Sequence, residues 1–96
     1  MELNEIQEKL KRQHGKLAEF GVKSLAVFGS VARHEERPDS DVDFLVEFDG
    51  PATFDSYVNL KEFLEGLLQR RVDLVTRKSI RPQLAPYIEG EARRVA

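Results

Sequence analysis

The sequence predicts an α+β domain in which a small β-sheet is flanked by helices. Segments with apolar residues at helical spacing alternate along the chain with short apolar runs typical of buried strands. One strand, helix and strand succession favours a crossover between neighbouring parallel strands. The 96 residues, 41% hydrophobic and 33% charged, are enough for one globular core and too few for a second full domain. We therefore expect residues 1–96 to form a single domain.

Composition excludes several classes of protein and of site. The chain has no cysteine, which excludes disulfides and thiolate zinc sites and leaves oxygen or imidazole as metal ligands. Residues 1–15 are charged throughout and do not resemble a signal peptide, and no apolar run approaches the roughly 20 residues of a membrane span. We expect a cytoplasmic protein. The net charge of -2 gives no overall attraction to nucleic acid, although basic pairs at 70–71, 77–78 and 93–94 could contact phosphates locally.

The N-terminal third contains a predicted helix followed by a predicted strand. Apolar residues at helical spacing predict an amphipathic helix over residues 3–20: Leu3, Ile6, Leu10, Leu17 and Phe20. Gly21 is the expected end of that helix. The apolar run 24–28 then predicts a buried first strand, which leads into a tight turn at Gly29-Ser30.

The turn at Gly29-Ser30 is followed by a second predicted strand. Ser30 can cap a short helical stretch through residues 31–33, and Arg37-Pro38-Asp39-Ser40 then interrupts the chain. From Asp41 to Phe48, apolar and polar residues alternate, as expected for a strand with one apolar and one largely polar face. Leu45 is the exception on the polar face.

The remaining sequence predicts one long helix, a third strand and two short C-terminal elements. The turn at 49–51 precedes a helix over residues 53–69, and the third strand covers residues 71–76. A short helix follows around residues 84–88, with its start left uncertain by two prolines. Residues 92–96 are expected to form an edge strand.

Three aspartates on two predicted strands are candidate metal ligands. Asp41 and Asp43 are two residues apart, so their side chains leave the same face of a strand. Asp73 lies on the third strand, which we expect to neighbour the second. Carboxylate oxygens suit magnesium, which keeps waters and substrate phosphates in its coordination shell. Taken alone, the Asp-x-Asp pair is more typical of a solvated strand face or a turn than of a metal site.

A calcium-binding loop is a weaker interpretation of the same acidic residues. Asp39, Asp41 and Asp43 match the first three ligand positions of an EF-hand. However, Phe44 stands where that loop needs glycine, and Gly50 stands where it needs the bidentate glutamate. We therefore expect Asp39 to serve the turn.

Gly29 and Ser30 form a candidate phosphate-binding turn. Glycine allows a ligand to approach the backbone closely, and the free amides at the start of a helix attract phosphate. An ordinary strand-to-helix turn with a serine cap would look the same. The combination of this turn, the Asp pair on the next strand and Asp73 on a later one favours a nucleotide-binding site.

These motifs together resemble the polymerase-β-like nucleotidyltransferase superfamily. The resemblance is carried by residues 29–33 (Gly-Ser-Val-Ala-Arg), 40–43 (Ser-Asp-Val-Asp) and 72–75 (Val-Asp-Leu-Val). The pattern Gly-Ser, ten residues, then Asp-x-Asp is most similar to the minimal nucleotidyltransferases of bacteria and archaea. The resemblance implies a small mixed β-sheet flanked by helices.

The resemblance also implies roles for individual residues. Asp41, Asp43 and Asp73 would bind two Mg²⁺ ions, one accompanying the β- and γ-phosphates and the other polarising the hydroxyl of an acceptor. Asp73 would then lie beside that hydroxyl. From this position we infer that Asp73 is the general base, because a metal-bound hydroxyl has a lowered pKa and needs a nearby acceptor for its proton. Gly29 and Ser30 would bind the triphosphate of ATP, and Arg33 would contact a phosphate oxygen unless it is only a surface arginine.

Minimal nucleotidyltransferases commonly pair with a helical HEPN protein, often a toxin ribonuclease. The resemblance therefore implies an antitoxin that transfers AMP from ATP to a tyrosine of a HEPN partner. The alternative is a catalytically silent nucleotide-binding module that neutralises its partner by contact, against which the intact carboxylates argue. A nucleic-acid-binding domain without chemistry is the least favoured interpretation and would show steeply salt-dependent affinity.

Overall fold

The computed structural model describes residues 2–35, 37 and 40–96. It contains four α-helices, four strands and one 3₁₀ turn in these described ranges. In chain order they are α1 (Leu3–Lys11), α2 (His14–Glu19), β1 (Val22–Phe28), β2 (Val42–Phe48), α3 (Phe54–Leu68), β3 (Val72–Thr76), the 3₁₀ turn Arg77–Ser79, α4 (Ala85–Glu91) and β4 (Arg93–Arg94). Among the residues described, no helix combines the length and apolar character that crossing a membrane requires.

The four strands form one mixed sheet in the order β3-β2-β1-β4. β2 and β3 run parallel, whereas β1 is antiparallel to both β2 and β4. The parallel pair is connected through α3, as the strand, helix and strand order predicted. This arrangement confirms the α+β class and the mixed sheet with flanking helices.

One face of the sheet forms the core with helices α1, α2 and α3. Alternate residues of β2, namely Val42, Phe44 and Val46, are fully buried because the strand places every second side chain on the same face. Side chains from β1, β3 and the helices complete this core; they include Leu25, Val27, Leu74, Ile6, Leu10, Leu17, Leu60, Leu64 and Leu68. The other face of β2 and β3 is left for Asp43 and Asp73.

The predicted helix over residues 3–20 is wrong as a single element, because the chain forms α1 and α2 with a break between them. Gln13 leaves helical geometry at φ -108° and ψ 21°, and its N–H donates to the Leu10 carbonyl at 2.9 Å. No residue between Leu10 and Leu17 is apolar, so no buried side chain holds that turn in register. Gly15 further lowers the helical propensity of the segment.

The first two strands and the turn between them differ slightly from the sequence prediction. β1 begins earlier, at Val22, and β2 begins at Val42, so Asp41 precedes the strand. Residues 30–34 form hydrogen-bonded turns without a defined helix, because His34 takes a left-handed conformation with φ 59°. Of the predicted break at 37–40, Pro38 and Asp39 lie outside the described residues.

The later elements follow the predictions closely. α3 is one residue shorter at each end than predicted, and the Thr53 hydroxyl caps it by accepting a hydrogen bond from the Ser56 N–H at 3.0 Å. The predicted C-terminal helix and edge strand are α4 and β4. Leu45, the exception on the polar face of β2, is only 4% exposed and lines a surface hollow together with Glu89 and Ala92. The C-terminal segment therefore covers part of the face that carries Asp43.

Candidate active site

Register in the sheet places Asp43 and Asp73 side by side. The two residues are direct partners on the parallel strands β2 and β3, and Asp43 also pairs with Phe28, the last residue of β1. Side chains at paired positions leave the same face of a sheet. The end of β1, Asp43 and Asp73 therefore lie across three adjacent strands, as the sequence predicted for the two aspartates.

The environment of Asp43 disfavours its negative charge. Partial burial first, and then the neighbouring carboxylates of Asp73 and Asp41, raise the pKa of Asp43 from an ordinary 3.8 to about 6; Arg33 opposes this shift. Desolvation and like charge both favour a protonated carboxyl. Asp73, in contrast, is exposed at the surface. The site is thus a cluster of acidic groups whose charge the protein compensates only in part.

The side chain of Asp41 forms an ion pair with a basic residue at the surface. Its Oδ1 lies 3.3 Å from Nε of Arg71, and the side chains of Asp41 and Arg71 are 48% and 82% exposed. In the described ranges no three acidic or histidine side chains come together as a formed metal site. An exposed ion pair contributes only about 0–1 kcal/mol, so turning Asp41 toward Asp43 costs little.

The acidic groups fit magnesium in the chemistry of their donors. They offer oxygen ligands alone, and a cation at Asp43 would relieve the charge repulsion that raises its pKa. Asp43 and Asp73 would hold such an ion from adjacent strands, and Asp41 would join them after leaving Arg71.

Gly29 forms a close backbone contact with Asp43. Its φ is +74°, in the region that favours glycine, and a Cβ atom there would overlap Oδ2 of Asp43 and lie 3.0 Å from its Cγ. The sequence predicted a close approach of backbone to ligand at Gly29. In the structure, the Asp43 carboxylate occupies the space beside Gly29 that a side chain at this position would fill.

The turn after Gly29 presents unpaired backbone N–H groups. The Arg33 N–H donates to the Gly29 carbonyl at 3.1 Å, which closes one helical turn. Within the described part of the chain, the N–H groups of Ser30, Val31 and Ala32 have no hydrogen-bond acceptor. Gly29 therefore occupies the N-cap position of this turn, which the sequence predicted for Ser30. Ser30 supplies the first of the free N–H groups.

Arg33 lies in this turn and is held by two carboxylates. Its Nη1 donates to both oxygens of Glu91 at 3.0 and 3.1 Å, and its Nε donates to Glu35 at 3.2 Å. These contacts with Glu35 and Glu91 raise the pKa of Arg33. Oε1 of Glu91 also accepts a hydrogen bond from the Gly29 N–H at 2.8 Å. Glu91 was not identified from the sequence, because it lies 62 residues from Gly29 in a segment with no recognisable motif.

Both the sequence and the fold of this chain are similar to those of known proteins. The nucleotidyltransferase domain family matches residues 3–95. Protein adenylyltransferase MntA of Thermococcus cleftensis is 42% identical over 90 residues, covering 93% of this chain and 91% of the relative. A solved structure assigned as a minimal nucleotidyltransferase is 39% identical with a TM-score of 0.84, over 97% of this chain and 95% of that one.

A more distant solved structure shares the fold. It is the MNT antitoxin of Shewanella oneidensis in complex with a tri-AMPylated HEPN toxin, at 18% identity and a TM-score of 0.68, over 95% of this chain and 71% of the other. Because the family matches almost the whole chain and one curated relative is 42% identical, this chain belongs to the nucleotidyltransferase domain family and is one of its minimal members.

Proposed function

We propose that this nucleotidyltransferase, a single domain in the cytoplasm, transfers AMP from ATP to a tyrosine hydroxyl of a helical HEPN-type toxin and thereby acts as its antitoxin. The observation that carries the proposal is the pairing of Asp43 with Asp73 beside the free N–H groups that follow Gly29. The names of the similar proteins support it: one is a protein adenylyltransferase and another an antitoxin bound to an AMPylated toxin.

The turn at residues 29–33 would hold the triphosphate. Three consecutive N–H groups, beginning at Ser30, have no acceptor among the described residues, and each can donate to a phosphate oxygen. Arg33 would add positive charge beside them. Magnesium ions held by Asp41, Asp43 and Asp73 would neutralise phosphate charge and lower the pKa of the acceptor hydroxyl.

The exposure of Asp73 suits a role at a protein acceptor. Asp43 is partly buried beneath the turn, whereas Asp73 is exposed and can be reached by a side chain of another protein. Asp73 would accept the proton of the tyrosine hydroxyl while the tyrosine oxygen attacks the α-phosphorus of ATP. The bond from the α-phosphorus to the pyrophosphate then breaks, and AMP remains on the tyrosine.

A transfer experiment tests this proposal. The chain is incubated with α-labelled ATP and magnesium, with and without the helical protein encoded beside it. Label is expected on the partner, and it should be lost in Asp41→Ala/Asp43→Ala. Glu8→Ala/Glu62→Ala is the matched control, because it removes two exposed carboxylates far from the site motifs and should keep full transfer.

The second candidate function, a silent nucleotide-binding module, has a different result in the same experiment. ATP would bind, the partner would be inhibited, and no label would appear on any protein. That result would replace the transferase proposal.

Basic residues support nucleic-acid binding poorly, since Arg71 and Arg77 pair with Asp41 and Glu89 within the chain.

A further inference from the structure

We infer that Glu91 is a positioning residue. It holds the phosphate-binding turn, residues 29–33, in place by accepting hydrogen bonds from the first and the last residue of that turn. The inference rests on the proposed function of that turn in ATP binding. It assigns a role to a residue in α4, an element that lies outside the glycine, serine and aspartate motifs.

The contacts of Glu91 connect the first and last residues of the turn. Its Oε1 accepts from the Gly29 N–H at 2.8 Å, and both of its oxygens accept from Nη1 of Arg33 at 3.0 and 3.1 Å. Hydrogen bonds with a charged partner are stronger than those between neutral groups. One carboxylate therefore sets both the direction of the chain as it leaves β1 and the position of the Arg33 side chain.

The Glu91 contact leaves the donors needed for phosphate available. Glu91 uses the N–H of Gly29, which precedes the turn, whereas the N–H groups from Ser30 to Ala32 have no acceptor within the described residues. Arg33 likewise binds Glu91 through Nη1 and Glu35 through Nε, and Nη2 makes no hydrogen bond there. Glu91 thus orients the turn without occupying the groups that face a triphosphate.

Glu91 also affects the carboxylate that lies against the turn. Gly29 carries the Asp43 carboxylate close to its Cα, so the position of Gly29 and the position of Asp43 depend on each other. Holding the Gly29 N–H therefore supports Asp43 as well. This adds a second route by which Glu91 acts through other residues rather than by touching ATP.

The experiment compares Glu91→Ala, Glu91→Gln and a control on the same helix. Glu89→Gln is the matched control, because the one ion pair of Glu89 in the described part of the chain is with the exposed Arg77, at 3.8 Å. The Kd for AMP-PNP with magnesium is measured by calorimetry well below each variant's melting temperature. Losing two charge-assisted contacts should raise Kd about ten-fold in Glu91→Ala and less in Glu91→Gln, which keeps an acceptor for Gly29. Glu89→Gln should bind like wild type.

A double-mutant cycle and an amide-exchange measurement separate positioning from general stability. If Glu91 acts partly through Arg33, Glu91→Ala should raise Kd by a smaller factor in an Arg33→Ala background. In the nucleotide-free protein, exchange of the Gly29 N–H should be faster in Glu91→Ala than in Glu89→Gln.

The outcomes distinguish this inference from the proposed function. Failure of the wild-type chain to bind AMP-PNP would overturn the proposed function and, with it, the inference. Wild-type binding that is equally strong in Glu91→Ala would overturn only the role of Glu91. Tighter binding in Glu91→Ala would also overturn it, because Glu91 would then compete with phosphate for the same donors.

Discussion

Replacing Asp43 with asparagine should make the metal-free protein more stable at neutral pH while abolishing transfer. Asp43 is costly to ionise in the folded chain, because burial and the carboxylates of Asp73 and Asp41 raise its pKa to about 6 from 3.8. Asparagine keeps the shape of the side chain and removes the charge. The gain is therefore an electrostatic effect at the site itself.

The magnitude follows from the shift in pKa. A rise of about 2 pKa units corresponds to roughly 3 kcal/mol when the group is fully ionised. Because the side chain is only partly buried and water screens the interaction, we expect about 1–2 kcal/mol. For a chain of this size, an increase of about 1–2 kcal/mol in the free energy of unfolding corresponds to an increase in Tm of roughly 5–10 °C.

The pH dependence gives the sign of the effect. Between pH 4 and pH 6, the folded wild-type chain binds more protons at Asp43 than the unfolded chain does, so wild-type stability falls as pH rises through this range. Asp43→Asn removes this dependence. The two proteins should therefore be equally stable near pH 4 and differ fully above about pH 6.5.

Urea unfolding in EDTA at pH 4, 5.5 and 7.5 measures this difference. Glu62→Gln serves as the control, because Glu62 is an exposed carboxylate on α3 and its loss should change stability by less than about 0.5 kcal/mol. Addition of magnesium should reduce the advantage of Asp43→Asn, since only wild type keeps the full ligand set. A variant that is less stable than wild type at pH 7.5, or a difference that does not vary with pH, would refute the reasoning.

Three further substitutions probe the turn, the base and the sheet. Gly29→Ala should lose about 2–4 kcal/mol of stability in urea unfolding, because the new methyl group overlaps the Asp43 carboxylate at a positive φ; an unchanged midpoint would contradict the close contact. Asp73→Asn should lower the rate of AMP transfer at least about 100-fold without lowering Tm, because the Asp73 charge repels that of Asp43; retained transfer would exclude Asp73 as the base. Tyr57→Phe should cost about 1–2 kcal/mol, because the hydroxyl donates to the Leu74 carbonyl at 2.6 Å, and calorimetry should show unchanged AMP-PNP affinity.

Periodicity was sufficient to predict the parallel pair of strands β2 and β3 and the position of two acidic residues on it. The alternation around Phe44 and the apolar run around Leu74 identified β2 and β3, and the intervening helix implied that they run parallel. From that order alone, Asp43 and Asp73 were expected to be neighbours. Local patterns determine these features, because burial of one strand face leaves little freedom in the other.

Features that depend on distant contacts were not predictable from the sequence. The break between α1 and α2 depends on which side chains find a buried partner, and the spacing of Leu10 and Leu17 is equally compatible with an unbroken helix. The contact of Glu91 with Gly29 connects residues far apart in the chain through the docking of α4. A glutamate in a charged C-terminal segment gives no signal of such a role.

The pairing of Asp43 with Asp73 also means that correct folding of the sheet and correct alignment of the two aspartates depend on the same strand register. Val42 and Phe44 flank Asp43 and lie in the core on the opposite face of the same strand. A shift of β2 by one residue would expose both apolar side chains and bury the carboxylate, so a molecule with misaligned catalytic groups would also lack a core. Any molecule that folds therefore carries its aspartates in register, without a separate step to assemble them.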